Sequence, residues 1–140
     1  MATVRRGARG FLKYFLLLVL LAVVVQVFLA GLGVFGIEEG QGLEDATSLD
    51  PHRGLGHFIG TFGGILIFLG SLLWWPRDKR LLGWFVLLAV LLFVQPIFAI
   101  IGGEFVGGLH ALNALVLLGL LGWLSYGLWR GRAAVAAETV

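Results

Sequence analysis

The stretch YFLLLVLLAVVVQVFLAGLGVFGI, residues 14–37, decides how the rest of the chain is read. It has 24 residues and one strongly polar side chain, Gln26. At about 1.5 Å per residue, such a helix is long enough to cross the roughly 30 Å hydrocarbon core of a bilayer. It exceeds the apolar stretch of about 7 to 15 residues found in a secretory leader. The small-residue cleavage pattern also fails, because Phe28 lies two before Ala30. The run therefore reads as a retained anchor.

Three further apolar runs follow. Helices are expected over about 54–75, 81–101 and 106–129, and an outer loop over 38–53 carries Glu38, Glu39, Glu44, Asp45 and Asp50. The second run stops at Pro76 and the charged cluster Arg77, Asp78, Lys79 and Arg80. The third contains Gln95 and Pro96, and a proline there should kink the helix while its neighbours satisfy the freed carbonyl. Of all 140 residues, 59% are hydrophobic and 13% charged, and the mean hydropathy is +0.99. Soluble domains carry about 25% charged residues, so that class is excluded. The expected fold is all-α: one polytopic membrane domain over 1–140, an antiparallel bundle of four transmembrane helices with the lipid bilayer as its surroundings. No internal repeat is legible.

Charge sets the expected orientation. Nine of the ten Lys and Arg (Arg5, Arg6, Arg9, Lys13, Arg77, Lys79, Arg80, Arg130 and Arg132) fall on one side of this topology, and Arg53 alone on the other. The excess of basic residues on cytoplasmic loops then puts both termini in the cytoplasm of a cell whose inner (plasma) membrane holds the protein. All five tryptophans and both tyrosines fall near the same ends, as an interfacial belt would. The basic residues mark helix ends and form no stripe, so no nucleic-acid partner is expected despite the net charge of +2. The lack of cysteine removes disulfides, thiolate metal sites, iron–sulfur clusters and covalently attached c-type haem.

Helices in lipid associate through close backbone approach and a few polar contacts. The second helix offers Gly56, Gly60 and Gly64 at four-residue spacing, with Gly63 beside them. Gln26 lies in line with Ala22 and Ala30, Gln95 with Ala99, and His110 with Asn113 and Ala114. Such polar groups either bond between helices, at about 0.6 kcal/mol each, or line a cofactor cavity.

The three histidines, His52, His57 and His110, all fall at the outer ends of the second and fourth helices, where titratable groups are functional candidates. His57 precedes Arg77 by 20 residues and His110 precedes Arg130 by 20, so these two are expected at similar depth. On a helical wheel His52 shares the face of Gly56, Gly60 and Gly63, whereas His57 lies about 140° away. Two of the three, one of them His110, are candidates to ligate the iron of one b-type haem (haem b), with Gly56, Gly60, Gln95 and Asn113 around it. Depth favours His57, and the glycine face favours His52.

The segment His52-Arg53-Gly54-Leu55-Gly56-His57-Phe58-Ile59-Gly60 resembles the His-Arg-x-x-Gly-x-x-x-Gly start of the second helix in one four-helix half of the haem A synthase family. Gln95 and the run Leu109-His110-Ala111-Leu112-Asn113-Ala114-Leu115 are similar to that family's third and fourth helices. The resemblance implies His52 and His110 as the axial pair on the extracytoplasmic side. Two departures stand: Leu49 occupies the position of a family Glu, and there is one four-helix half only. More broadly, the chain resembles small uncharacterised four-helix membrane proteins of bacteria, with Val25-Gln26-Val27-Phe28-Leu29-Ala30-Gly31 in the first helix.

No Gly-x-Ser-x-Gly, Walker, dinucleotide-binding or His-Glu-x-x-His motif occurs. The chain is therefore not expected to act as an enzyme by itself. The expected function is electron transfer through a bound haem, with a redox partner or a larger membrane complex. The alternatives are a cofactor-free structural or interaction subunit and a small transporter.

Overall fold

The computed structural model describes residues 1–38, 42 and 45–131, and its regular structure is helical throughout. Four helices are long and apolar enough to cross a membrane: α1 (Ala2–Phe35), α2 (Thr47–Trp74), α3 (Lys79–Ile101) and α4 (Glu104–Trp129). Each packs on its chain neighbour and α1 closes on α4, whereas α1 and α3, and α2 and α4, face each other across diagonals. This is the expected antiparallel four-helix bundle of a multi-pass membrane protein. One end is basic, and the histidines lie at the other. Glu39, Glu44 and Arg132, which entered the charge count, lie outside the described residues.

Two helices start earlier than their hydropathy indicates. The segment holding Arg5, Arg6, Arg9 and Lys13 is helical from Ala2 rather than from about residue 14. Arg and Lys are good helix formers whose stems lie along apolar surface. The Arg5 guanidinium also donates to the carbonyls of Trp74 (3.0 Å) and Trp75 (2.6 Å), which ties the start of α1 to the end of α2. Helix α2 is α-helical from Asp50 rather than residue 54, with Pro51 in its first turn, where a missing N–H costs nothing. A short 3₁₀ turn, Thr47–Leu49, leads into it. Ser48 Oγ donates to the Gly33 carbonyl at 2.8 Å, and the buried Leu49 fills the space that a Cβ at Gly33 would need. Part of the expected outer loop is thus the beginning of α2, pinned to α1.

Two irregularities face each other in mid-bundle. Helix α2 widens into one π turn, Ile59–Gly63, while α3 runs unbroken through Pro96 to Ile101. Proline has no N–H to bond the carbonyl four residues back, here that of Leu92. Gly60 lies against that carbonyl, so close that a Cβ would stand 2.9 Å from the Leu92 oxygen and 2.9 Å from Pro96 Cδ. The lack of a side chain on α2 and of an N–H on α3 lets the two backbones touch. The connection from α3 to α4 is made by Gly102 (φ 69°) and Gly103 (φ 82°), a backbone conformation that residues with a Cβ adopt at a cost.

Inside the bundle, Leu12, Leu16, Ile67, Phe85, Leu88 and Leu121 are buried. Large apolar side chains such as Leu18, Phe28, Leu112 and Leu115 point outward. Apolar side chains outside as well as inside distinguish this bundle from a water-soluble one and fit a lipid surround. At the basic end Lys13 Nζ lies 3.9 Å from the ring centre of Trp129, and Trp84 and Trp123 meet edge to face at 5.5 Å.

Candidate functional site

Apart from Ser71 and Ser125, which are buried in the basic half, the polar groups of the interior gather in the half of the bundle away from the basic end. There Gln26 of α1 and His52 of α2 form a reciprocal pair. Gln26 Nε2 donates to the His52 backbone carbonyl at 2.9 Å, and His52 Nδ1 lies 3.1 Å from the Gln26 backbone carbonyl. The same pair recurs between α3 and α4: Gln95 Nε2 donates to the His110 carbonyl at 3.0 Å, and His110 Nδ1 lies 3.0 Å from the Gln95 carbonyl. A carbonyl oxygen can only accept, so both Nδ1 atoms carry the hydrogen. In its neutral form each imidazole then keeps its lone pair on Nε2. A ring held through Nδ1–H on a backbone carbonyl is the arrangement that orients histidines serving as metal ligands.

The two histidines sit on diagonal helices with ring centres 6.3 Å apart and planes at 70°. Beside them lies a cavity of about 410 Å³, walled among others by Val23, Ile59, Leu92, Pro96 and Ala114. Gly56 and Gly60 also line it. A Cβ at Gly56 would come within 2.5 Å of Gln26 Nε2, so glycine there is what lets the first pair form. The glycine ridge read from the sequence is shared between two partners: Gly56 meets α1, whereas Gly60 and Gly64 meet α3.

Of the residues singled out from the sequence, His52, His110, Gln95, Gly56 and Gly60 come together at this cavity. Asn113 is buried behind it, where its Nδ2 donates to the Leu91 carbonyl at 3.0 Å and to Gln95 Oε1. His57 also lines the cavity, exposed at its rim, with Nδ1 2.9 Å from the carbonyl of Arg53 in its own helix.

The expected equal depth of His57 and His110 fails because His52, not His57, is level with His110. Arg77 lies beyond the helical end at Trp74, whereas Arg130 directly follows Trp129, so the two arginines are unequal markers. The π turn adds a further residue to α2 without adding rise. Sequence reasoning also gave Gln26 no partner. One signal was available: Gln26 and Ala30 followed by His52 and Gly56 match Gln95 and Ala99 followed by His110 and Ala114. Compared with known protein families, curated proteins and solved structures, the chain matches none.

Proposed function

We propose that this bundle binds one b-type haem beside its histidine end, where His52 and His110 would hold it, and passes electrons between partners in or at the membrane. The observation that carries the proposal is the pair of oriented imidazoles, with ring centres 6.3 Å apart, that both line one cavity. At metal–nitrogen bonds of about 2 Å, ring centres 6.3 Å apart are within the span of two imidazoles that would hold one ion. The donor set also suits the group, since neutral imidazoles ligate haem iron and no thiolate is present. Gly56 and Gly60 are taken up by contacts with Gln26 and with Leu92 and Pro96, so the room for a macrocycle is that of the cavity beside the rings.

When bound, such a group supplies one-electron redox chemistry. The chain's own residues would do the rest. Gln26 and Gln95 hold the rings and their tautomers, and the aliphatic wall from Val23 to Leu92 keeps water from the ligands. The likeness to one half of the haem A synthases supports the same pair. Oxidation of a haem methyl group is outside the proposal, because Leu49, at the position of that family's carboxylate, is a buried packing residue against Gly33.

The charge distribution supports cytoplasmic termini in a bacterial plasma membrane, which would put the histidine end outside. A cysteine at Gly42 should then react with an impermeant reagent applied to intact cells, and one at Ala2 should not. The reverse pattern inverts the orientation.

The absorption spectrum of protein purified from haem-supplied cells tests the cofactor. A Soret band with sharp reduced α and β bands is expected, lost in His52→Ala and in His110→Ala and kept in His57→Ala. A second reading is favoured by the reciprocal bonds of the two Gln–His pairs: they clasp helices with no metal, as in a cofactor-free structural subunit. A colourless wild type of normal stability would establish that reading and overturn the first.

A further inference from the structure

At the opposite end of the bundle, about 30 Å along the helices from the histidines, a second cavity opens. Its volume is about 770 Å³. Arg5, Arg6 and Arg9 of α1 line it on one side, and Arg77 and Arg80, before and at the start of α3, on another. Asp78 is its one acid among the described residues, and the Asp78 carboxylate already accepts the Arg80 backbone N–H at 2.9 Å. Five guanidinium groups against one carboxylate make a strongly positive recess. A planar guanidinium offers paired donors matched to phosphate oxygens.

The remaining wall is aromatic and aliphatic. Trp84 and Trp123, in edge-to-face contact at 5.5 Å, both line the recess and are about half exposed on the flank of the bundle, at 43% and 54%. A site for a soluble anion needs no such flank. A ligand with an anionic head and apolar tails uses both parts.

We propose that this recess binds an anionic phospholipid, its phosphodiester among Arg6, Arg9 and Arg80 and its acyl chains along Trp84 and Trp123. Basic pockets between transmembrane helices at the interface are suited to such headgroups. Arg5 has a different duty, since its guanidinium closes the carbonyl end of α2. The recess thus also joins α1 to the α2–α3 connection, so a bound headgroup would brace that corner.

The test uses the full chain in neutral detergent and tryptophan fluorescence. Phosphatidylglycerol brominated on its acyl chains should quench saturably, and phosphatidylcholine with the same brominated chains should quench far less. Added salt should weaken the first and leave the second unchanged. Combining Arg6→Gln, Arg9→Gln and Arg80→Gln should weaken phosphatidylglycerol quenching by on the order of a hundredfold, from about 1 kcal/mol per charge. Equal quenching by the two lipids, indifference of phosphatidylglycerol quenching to salt, or undiminished quenching in a folded triple variant would overturn the proposal. So would displacement of the lipid by inorganic phosphate or glycerol phosphate at matching concentration, which would mark a site for soluble anions. The salt arm uses the unmodified protein and decides the matter even if the triple variant does not fold.

Discussion

The α1–α2 hairpin and the α3–α4 hairpin solve one problem twice, and only the second solution is complete. In each, a glutamine near the outer end of the first helix clasps a histidine near the start of the second through two bonds to backbone carbonyls. In the second hairpin, Asn113, three residues after His110, donates to Gln95 Oε1. In the first, the residue three after His52 is Leu55, and Gln26 Oε1 is buried with no hydrogen-bond partner. The backbones compensate in the other direction. Gly56 allows a closer approach than Ala114, which occupies the matching place after His110. Close packing and polar bonding are alternative means of joining helices in lipid, and the two hairpins weight them differently.

The largest effect is expected where packing carries the joint. Gly60→Ala drives a methyl into the Leu92 carbonyl and the Pro96 ring, and should cost about 2–3 kcal/mol of stability in detergent. The same change at Gly119 of α4, which has open space around it, should stay within about 0.5 kcal/mol. Equal melting temperatures for the two variants would remove backbone contact as the joint between α2 and α3.

A smaller contrast should separate the glutamines. Gln95→Leu takes a donor from the His110 carbonyl and an acceptor from Asn113, whereas Gln26→Leu takes one bond and relieves one orphaned oxygen. Losses of about 1.5 and 0.5 kcal/mol are expected. The reverse order in denaturation by an anionic detergent would show that the first clasp is the stronger.

The smallest effect sharpens the comparison most. Leu55→Asn offers Gln26 Oε1 the donor that Asn113 offers Gln95, and the coupling between positions 26 and 55 should be about 0.5 kcal/mol in a double-mutant cycle with Gln26→Leu. Zero coupling would mean that the two hairpins differ at this position in backbone as well as in side chain.

How far the site was legible follows from the same residues. His110, Gln95 and Asn113 fall on one short stretch of sequence pattern, and the face shared by His52 and Gly56 could be drawn on a wheel. The role of Gln26 could not be drawn, since it bonds a residue 26 positions away across a loop whose path hydropathy does not describe. The depth comparison failed for a local reason of the same kind. A π turn leaves no mark on hydropathy, yet it changes both the rise and the facing of everything beyond it.

By itself the sequence determined four helices, their alternation in direction and the division into a basic and a histidine end. Those features depend on transfer of side chains between water and lipid and on charge at helix termini, which are properties of each segment alone. The packing of helix on helix settles that the glycine ridge divides between α1 and α3, that His52 rather than His57 faces His110, and that Gln26 repeats the part of Gln95. Each depends on the rotation and height of one helix against another, set by contacts such as Gly60 on Leu92 that no single segment contains.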